Sequence, residues 1–475
     1  MPKSKNIISL VDVSFSYNNA EEQLKHISIN IKKGSCILIT GSSGCGKTTL
    51  TRLINGLIPH YYEGELSGDI IINDKKTNQM EAWEYGLYVG SVFQDARSQF
   101  FTSTVIDEVA FSAENYGKSP KWIKERMNSI LEYNEISYLK NQKLINLSSG
   151  EKQKVAMAAA QINDPDIYVL DEPSANLDNR SAWLLAELIK QLKDMGKTII
   201  IAEHRFFFLM EVLDEVVYMK NGEIDARWTL DEFAALTEKE LDYFGLRSNK
   251  MKQLKVKESL EKNHDGSNSY LEINDLAISY NRFSKPILTH LNFDFKKGDV
   301  VAITGKNGVG KTTLAKTICG LLIENSGEIK LASKTIRSKY RLNHSWFVLQ
   351  DTDYQLFSDS VINEMMLGME QSESNRQLAE KLLRELNLWE YREQHPATLS
   401  GGQKQRLTFA VGLMRQPDIL IFDEPTSGLD ALNMKQIVKL IEEKSTKGTV
   451  IIIISHDYEF IDLACQRVVH IGDYG

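Results

Sequence analysis

The sequence predicts an α/β protein built from one plan used twice, and three observations carry that expectation. Short apolar strands alternate with helix-prone stretches: Val169-Leu170 and Ile199-Ile200-Ile201 in the first half, Ile419-Leu420-Ile421-Phe422 and Val450 to Ile454 in the second. Runs that are apolar on both faces read as strands of a covered parallel sheet. A glycine-rich stretch, Gly41-Ser42-Ser43-Gly44-Cys45-Gly46-Lys47-Thr48-Thr49, recurs as Gly305-Lys306-Asn307-Gly308-Val309-Gly310-Lys311-Thr312-Thr313. Later residues recur in the same order: Gln94 with Gln350, Ser148 with Ser400, Asp171 with Asp423, His204 with His456. The offset falls from 264 at the lysines to 256 at the glutamines, then holds at 252 from the serines to the histidines. The first copy therefore carries extra residues ahead of Ser148, among them the loop Pro59-His60-Tyr61-Tyr62-Glu63-Gly64-Glu65. A repeat of half the chain predicts two domains.

Composition narrows the class. A chain of 475 residues with 42% hydrophobic and 25% charged residues is globular and too long for one ordinary core. Its net charge of −8 argues against a general nucleic-acid binder. Cys36, Cys45, Cys319 and Cys465 lack metal-ligand spacing, so neither a zinc site nor a disulfide framework is expected. The N-terminal residues Met1 to Asn6 lead into a strand rather than a signal-peptide core, and no apolar run approaches 18 residues. The expectation is a protein without direct membrane insertion; if it works at a membrane, other subunits cross it.

In chain order, the first domain spans 6–245, a polar linker 246–269 and the second domain 270–475. Each glycine-rich stretch follows an apolar strand, Cys36 to Thr40 or Val300 to Thr304, and opens a helix. Gly-x-x-x-x-Gly-Lys-Thr in that setting is a phosphate-binding loop. Its glycines let backbone N–H groups turn inward around a phosphate, and the helix N-terminus adds the positive end of its dipole. Lys47 and Lys311 can reach β- and γ-phosphates; the Thr48 and Thr312 hydroxyls can ligate Mg²⁺. Between each glutamine and Ser148 or Ser400 the chain turns polar and helix-prone, as in Lys121 to Met127, which predicts a helical subdomain inserted into the α/β core.

Phosphate loops serve many enzymes; the later motifs discriminate. Leu399-Ser400-Gly401-Gly402-Gln403-Lys404-Gln405-Arg406 precedes Ile419 to Phe422 and Asp423-Glu424-Pro425, and the first copy has Leu147-Ser148-Ser149-Gly150-Glu151-Lys152-Gln153-Lys154 before Asp171-Glu172-Pro173. The first segment resembles the signature of ATP-binding cassette (ABC) ATPases, the second their Walker B strand and adjoining glutamate. The resemblance covers nearly the whole chain. It implies two P-loop NTPase domains, each with a RecA-like core, an antiparallel β subdomain and a helical subdomain. It also implies ATP hydrolysis with Mg²⁺. Asp171 and Asp423, with Thr48, Thr312 and the Q-loop glutamines Gln94 and Gln350, are then metal ligands. Glu172 and Glu424 are catalytic bases, and His204 and His456 contact the γ-phosphate. Tyr17 and Tyr280 match the A-loop that stacks on adenine; Asp178 and Asp430 match the D-loop.

In this family two domains pack head to tail, and each signature caps the nucleotide on the other phosphate loop. The expected pairs are the Lys47 loop with Ser400, Gly401, Gly402 and Gln403, and the Lys311 loop with Ser148, Ser149, Gly150 and Glu151, both formed within one chain. Ser149 and Glu151 depart from the pattern, which predicts weaker capping at the Lys311 loop, with hydrolysis at both.

The segments after the glutamines, Gln94 to Phe111 and Gln350 to Glu364, align Gln99 with Gln355, Phe101 with Phe357 and Glu108 with Glu364. With Gly56 to Leu66 they look like the ATPases of energy-coupling factor (ECF) transporters. That resemblance implies a groove near Phe100, Phe101 and Phe357 for a transmembrane T component holding a substrate-binding S component. It places the protein on the cytoplasmic face of the cell membrane, importing a vitamin, a vitamin precursor or a metal ion. A ribosome-acting tandem ABC protein (ABC-F type) and a sugar-importer ATPase are the alternatives; the linker is short for the first, and both copies keep the glutamate that the second usually loses in one.

Overall fold

The computed structural model describes residues 5–18, 22–175, 177–252, 254, 269–280, 284–350 and 352–472. The chain divides into two compact units, Met1–Lys250 and Met251–Gly475.

In the first unit the strands are β1 (Asn6–Tyr17), β2 (Glu22–Lys32), β3 (Cys36–Gly41), β4 (Gly64–Ile72), β5 (Lys75–Lys76), β6 (Val89–Val92), β7 (Ile167–Asp171), β8 (Thr198–Ala202), β9 (Glu215–Lys220) and β10 (Glu223–Thr229). One sheet runs β10-β9-β3-β8-β7-β6. It is parallel from β9 to β6, and β10 closes its edge antiparallel to β9. All six residues of β3 are buried, as a central strand covered on both faces requires. A second sheet, β2-β1-β4-β5, is antiparallel. Between β6 and β7 the helices Val105–Asn115, Pro120–Tyr133 and Ser149–Gln161 share a core of their own around Val105, Val109, Leu131 and Val155. This is the inserted helical subdomain. Truncating a fully buried aliphatic such as Val155 to alanine there costs about 1–3 kcal/mol.

The second unit repeats the plan with β11 (Leu271–Ile278), β12 (Leu288–Phe295), β13 (Val300–Thr304), β14 (Ser326–Leu331), β15 (Lys334–Thr335), β16 (Ser345–Val348), β17 (Ile419–Asp423), β18 (Val450–Ile454) and β19 (Arg467–His470). Its core sheet, β16-β17-β18-β13-β19, is parallel throughout, and β12-β11-β14-β15 is antiparallel. In both units the strand before the glycine-rich loop lies between two parallel neighbours, so the loop emerges where ligands of open α/β sheets bind.

The units differ at their ends. After β10 the first unit continues through helices Leu230–Ala235 and Glu238–Phe244, where Trp228, Phe233 and Phe244 pack together with Tyr218. Residues 246–250, expected in the linker, belong to this unit: Leu246, Arg247 and Asn249 are buried, and Asn249 donates to the Phe233 carbonyl at 3.1 Å. Of the remaining linker, residues 253 and 255–268 lie outside the described residues.

Candidate functional site

The two glycine-rich loops adopt the same backbone path. Gly41, Gly44 and Gly46 have φ of 147°, 80° and 104°; Gly305, Gly308 and Gly310 have 147°, 80° and 109°. A β-carbon on Gly41 would sit 2.1 Å from the Met219 carbonyl oxygen, and one on Gly305 2.5 Å from that of Ile471. Only glycine satisfies both the left-handed torsion and the close approach. The helices Lys47–Ile54 and Lys311–Cys319 start directly from Gly46 and Gly310. Lys47 Nζ is held over its loop by the Gly41 and Ser42 carbonyls at 3.1 and 2.9 Å; Lys311 Nζ is held likewise by Gly305 and Lys306 at 2.8 and 3.0 Å. Each ammonium thus sits inside the ring of backbone that an anion would occupy with it.

Beside each loop stands a threonine–aspartate pair. Thr48 Oγ1 donates to Asp171 at 3.3 Å and Thr312 Oγ1 to Asp423 at 2.7 Å. Burial pushes both aspartates above the usual carboxylate range, against the pull of those hydroxyls and of Lys47 or Lys311. A buried carboxylate raised in this way is relieved by a cation, and the hydroxyl–carboxylate donor set suits a hard ion such as Mg²⁺. Among the described residues no cluster of three His, Cys, Asp or Glu forms a protein-only metal cage.

Glu172 and Glu424 follow the aspartates with φ of 45° and 51°, a left-handed turn that non-glycine residues seldom adopt. Their N–H groups are pinned to the neighbouring strand end, at Ala202 O (2.8 Å) and Ile454 O (2.9 Å). The carboxylates face the histidines: Glu172 Oε1 lies 3.6 Å from His204 Nε2 and Glu424 Oε1 3.8 Å from His456 Nε2. Burial, then the Asp423 charge, pushes Glu424 up to about 7 although Lys311 pulls the other way. Burial, then Lys47 and Arg247, pushes His204 well below its ordinary value and keeps it neutral. Gln94 Nε2 donates to Glu172 Oε2 at 2.7 Å, and His456 Nε2 lies 3.0 Å from Asn307 Oδ1. Within each unit, loop, aspartate, glutamate and histidine converge on the C-terminal ends of the parallel strands.

The remaining sequence candidates are placed unequally. The half-buried Tyr17 is tied through its hydroxyl to Thr49 at 3.3 Å and Arg52 at 3.0 Å. The more exposed Tyr280 donates to Gly308 O at 3.1 Å. Asp178 and Asp430 cap helices Asn179–Asp194 and Ala431–Thr446, accepting from Ser181 and Asn433 N–H at 2.7 Å. Asn176, beside Asp178, lies outside the described residues. Each signature serine caps its own helix: Ser148 for Ser149–Gln161 and Ser400 for Gly401–Met414. The capping partners differ. Glu151 Oε2 accepts both the Ser148 N–H (2.9 Å) and its hydroxyl (2.7 Å), whereas Gln403 Oε1 accepts the Ser400 N–H at 2.8 Å. Gly402 has only ordinary contacts around its missing side chain, while Gly150 faces Ser181 Oγ at 3.1 Å.

Some positioning residues carry no motif of their own. Gln99 braces the segment behind Gln94 by accepting from Phe93 N–H (3.1 Å) and donating to Ser91 O (2.9 Å); Gln355 does the same with Leu349 and Phe347, both at 2.9 Å. The gap-free alignment of these glutamines was the signal for them. Phe101 and Phe357 stand 77% and 74% exposed, whereas Phe100, expected in the groove, turns inward between two hydrophobic cores.

A chain with two phosphate loops on parallel α/β sheets, each facing an aspartate, a glutamate and a histidine, is a tandem nucleoside-triphosphatase. A model of the ABC transporter family matches residues 24–175 and 288–427, and the chain belongs to that family. It is 42% identical over 98% of its length to a putative ABC transporter ATP-binding protein of Treponema denticola, covering 95% of that protein. It is 30% identical to the putative HMP/thiamine import ATP-binding protein YkoD of Bacillus subtilis, covering 99% of this chain and 90% of that one. In the solved model of ribosome-bound archaeal Pelota and ABCE1, one chain matches with a TM-score of 0.68 at 20% identity, over 96% of this chain and 76% of that one, a likeness of fold alone. The protein is an ATP-binding subunit with two ABC cassettes, whose ATP hydrolysis is coupled to transport through transmembrane components. Among the described residues no helix is long and apolar enough to cross a membrane.

Proposed function

We propose that this chain is the ATPase of an energy-coupling factor importer, working on the cytoplasmic face of the cell membrane. The observation that carries the reading is the exposure of Phe101 and Phe357. Each is presented by a loop cinched around a buried carboxylate: Glu108 accepts from the N–H groups of Phe101 (3.0 Å) and Thr102 (2.8 Å), and Glu364 from those of Phe357 and Ser358 (2.7 Å each). Phe101 stacks on Phe111 at 5.2 Å and borders an open groove of about 450 Å³ with Trp83, Asn115 and Tyr116. A rigid aromatic groove suits an amphipathic helix laid into it, here a coupling helix of the T component that holds the S component. The likeness to a protein named for HMP/thiamine import supports a vitamin or vitamin precursor as cargo.

The chemistry follows from the residues. Lys47 and Lys311 neutralise β- and γ-phosphate charge. Thr48, Asp171 and Gln94, and Thr312, Asp423 and Gln350, would hold Mg²⁺, which would supply further neutralisation of phosphate charge. Glu172 and Glu424 accept the proton of the attacking water, while His204 and His456 contact the γ-phosphate. Tyr17 and Tyr280 carry the adenine. Each signature turn, Ser148 with Gly150 or Ser400 with Gly401, Gly402 and Gln403, caps the nucleotide of the other copy, with Asp178 and Asp430 in the adjoining loops. ATP then shifts an open–closed equilibrium; moving it from 1:99 to 99:1 takes roughly 5.5 kcal/mol of differential binding, about half from each nucleotide.

Extraction in mild detergent tests this reading. Co-purification with a multi-spanning T protein and a small S protein is expected, and Phe101→Ala with Phe357→Ala should abolish uptake while ATPase persists. Recovery with ribosomes, or undiminished uptake by the double variant, contradicts it.

A further inference from the structure

Each histidine loop contains a buried carboxylate, and the two copies place it on opposite sides of the histidine. The first copy reads Glu203-His204-Arg205, the second Ser455-His456-Asp457. Glu203 is 2% exposed and accepts four hydrogen bonds. Oε1 takes the N–H groups of His204 (2.9 Å) and Arg205 (3.2 Å); Oε2 takes the N–H (3.2 Å) and hydroxyl (2.8 Å) of Ser174. Ser174 lies two residues after Glu172, so one carboxylate joins the turn bearing the glutamate to the backbone bearing the histidine.

In the second copy Ser455 is too short for that span. Its hydroxyl donates to Glu424 Oε2 at 3.1 Å instead. The link is made by Asp457, whose Oδ2 accepts the Thr426 hydroxyl at 2.9 Å while Oδ1 caps the next helix through Phe460 N–H at 3.2 Å. Thr426 is the counterpart of Ser174, so acid and hydroxyl are both kept and only the acid has moved by two positions. Arg205, where the second copy has its aspartate, sends its guanidinium to Leu177 O at 3.3 Å and over the Phe207 ring.

We infer that Glu203 is the positioning residue of the first copy's catalytic glutamate and histidine, and that it does the work of Asp457 from the other side of the histidine. A carboxylate suits the site because three of the four groups facing it are N–H groups that can only donate, and an amide would turn its NH₂ toward at least one of them. The link fixes the histidine relative to the glutamate as one unit, which is a condition for in-line attack. The inference rests on the proposed roles of Glu172 and His204.

Single-turnover cleavage of labelled ATP by the full chain in a Glu424→Gln background tests it. Glu203→Gln should lower the cleavage rate at least about tenfold, as displaced positioning groups do, with ATP affinity within about threefold of the parent. The exchange Glu203→Ser with Arg205→Asp, which transplants the second copy's arrangement onto Ser174, should restore the rate to within about threefold of the parent. An unchanged rate in Glu203→Gln, a fall in affinity alone, or an exchange variant that melts like the parent yet stays slow overturns the inference. If Glu203→Gln does not fold, the exchange variant decides. Glu172→Gln in the same background separates the two claims: continued cleavage there overturns the assignment of the base, not the link.

Discussion

The Ser148 hydroxyl donates a 2.7 Å hydrogen bond to Glu151 Oε2, and Tyr138 holds the other oxygen of that carboxylate at 3.1 Å. Burial opposes ionisation of Glu151, but the Ser148 bonds outweigh it and hold its carboxyl below the usual range. The first copy's signature turn therefore presents a serine whose proton is committed to a carboxylate. In the second copy the corresponding partner is the neutral Gln403.

Replacing Glu151 by glutamine removes that charge and leaves the capping geometry available. ATP affinity at the Lys311 loop should rise about tenfold, the equivalent of one charge-assisted hydrogen bond. Nucleotide titration of Glu424→Gln with and without Glu151→Gln measures it. Unchanged affinity, or a change confined to the Lys47 loop, contradicts the assignment.

As the proposed base, the raised Glu424 should give turnover in the second copy a pH dependence. Below about 7 the carboxyl is protonated and cannot take a proton from water; above it the base is available. ATPase measured in a Glu172→Gln background should rise through pH 7. A flat profile between pH 6 and 8 contradicts the role.

His204 links the stability of the first unit to pH. Above about 6.5 it is neutral in both folded and unfolded chains, so its contribution is complete. Below that value the unfolded chain takes up a proton that the buried ring refuses. The first unit should lose stability between pH 7.5 and pH 5 through this residue. Denaturant titrations of the parent and His204→Gln at both values measure it; equal losses in the two proteins contradict the account.

Glu108 and Glu364 are buried anchors of the loops that present Phe101 and Phe357. Glu108→Ala removes the acceptor of the Phe101 and Thr102 N–H groups, while the Thr102 hydroxyl keeps the Thr104 carbonyl, and this should cost about 1–3 kcal/mol. Transport should fall further than ATPase, because the loop that loosens is the one proposed to meet the T component. A melting temperature unchanged from the parent contradicts the anchoring role.

Much of this was legible because the chemistry is contiguous. Gly41 to Thr49 is one contiguous stretch from strand end to helix start, and its requirements appear in residue type alone and then appear again at Gly305 to Thr313. What depended on distant partners was not legible. Glu203 and Ser174 are 29 residues apart, and no spacing rule marks one as the acceptor of the other. Periodicity could not tell which of Phe100 and Phe101 faces outward, since irregular backbone after a short helix, rather than a helix or strand, sets their directions. Arg247 reads as a solvated linker residue, yet it is buried in the first unit, whose terminal helices extend past the repeated plan. Asp178 and Asp430 match the D-loop motif, while their local work as helix caps follows from a rule the sequence also displays.

The central claim is that each copy's signature completes the other copy's nucleotide site. It is tested most directly by mapping, with mass spectrometry, which phosphate loop retains a photoreactive ATP analogue trapped with vanadate in Ser400→Arg. The account predicts label lost from the Lys47 loop and kept at the Lys311 loop. Label lost from the Lys311 loop instead would contradict it.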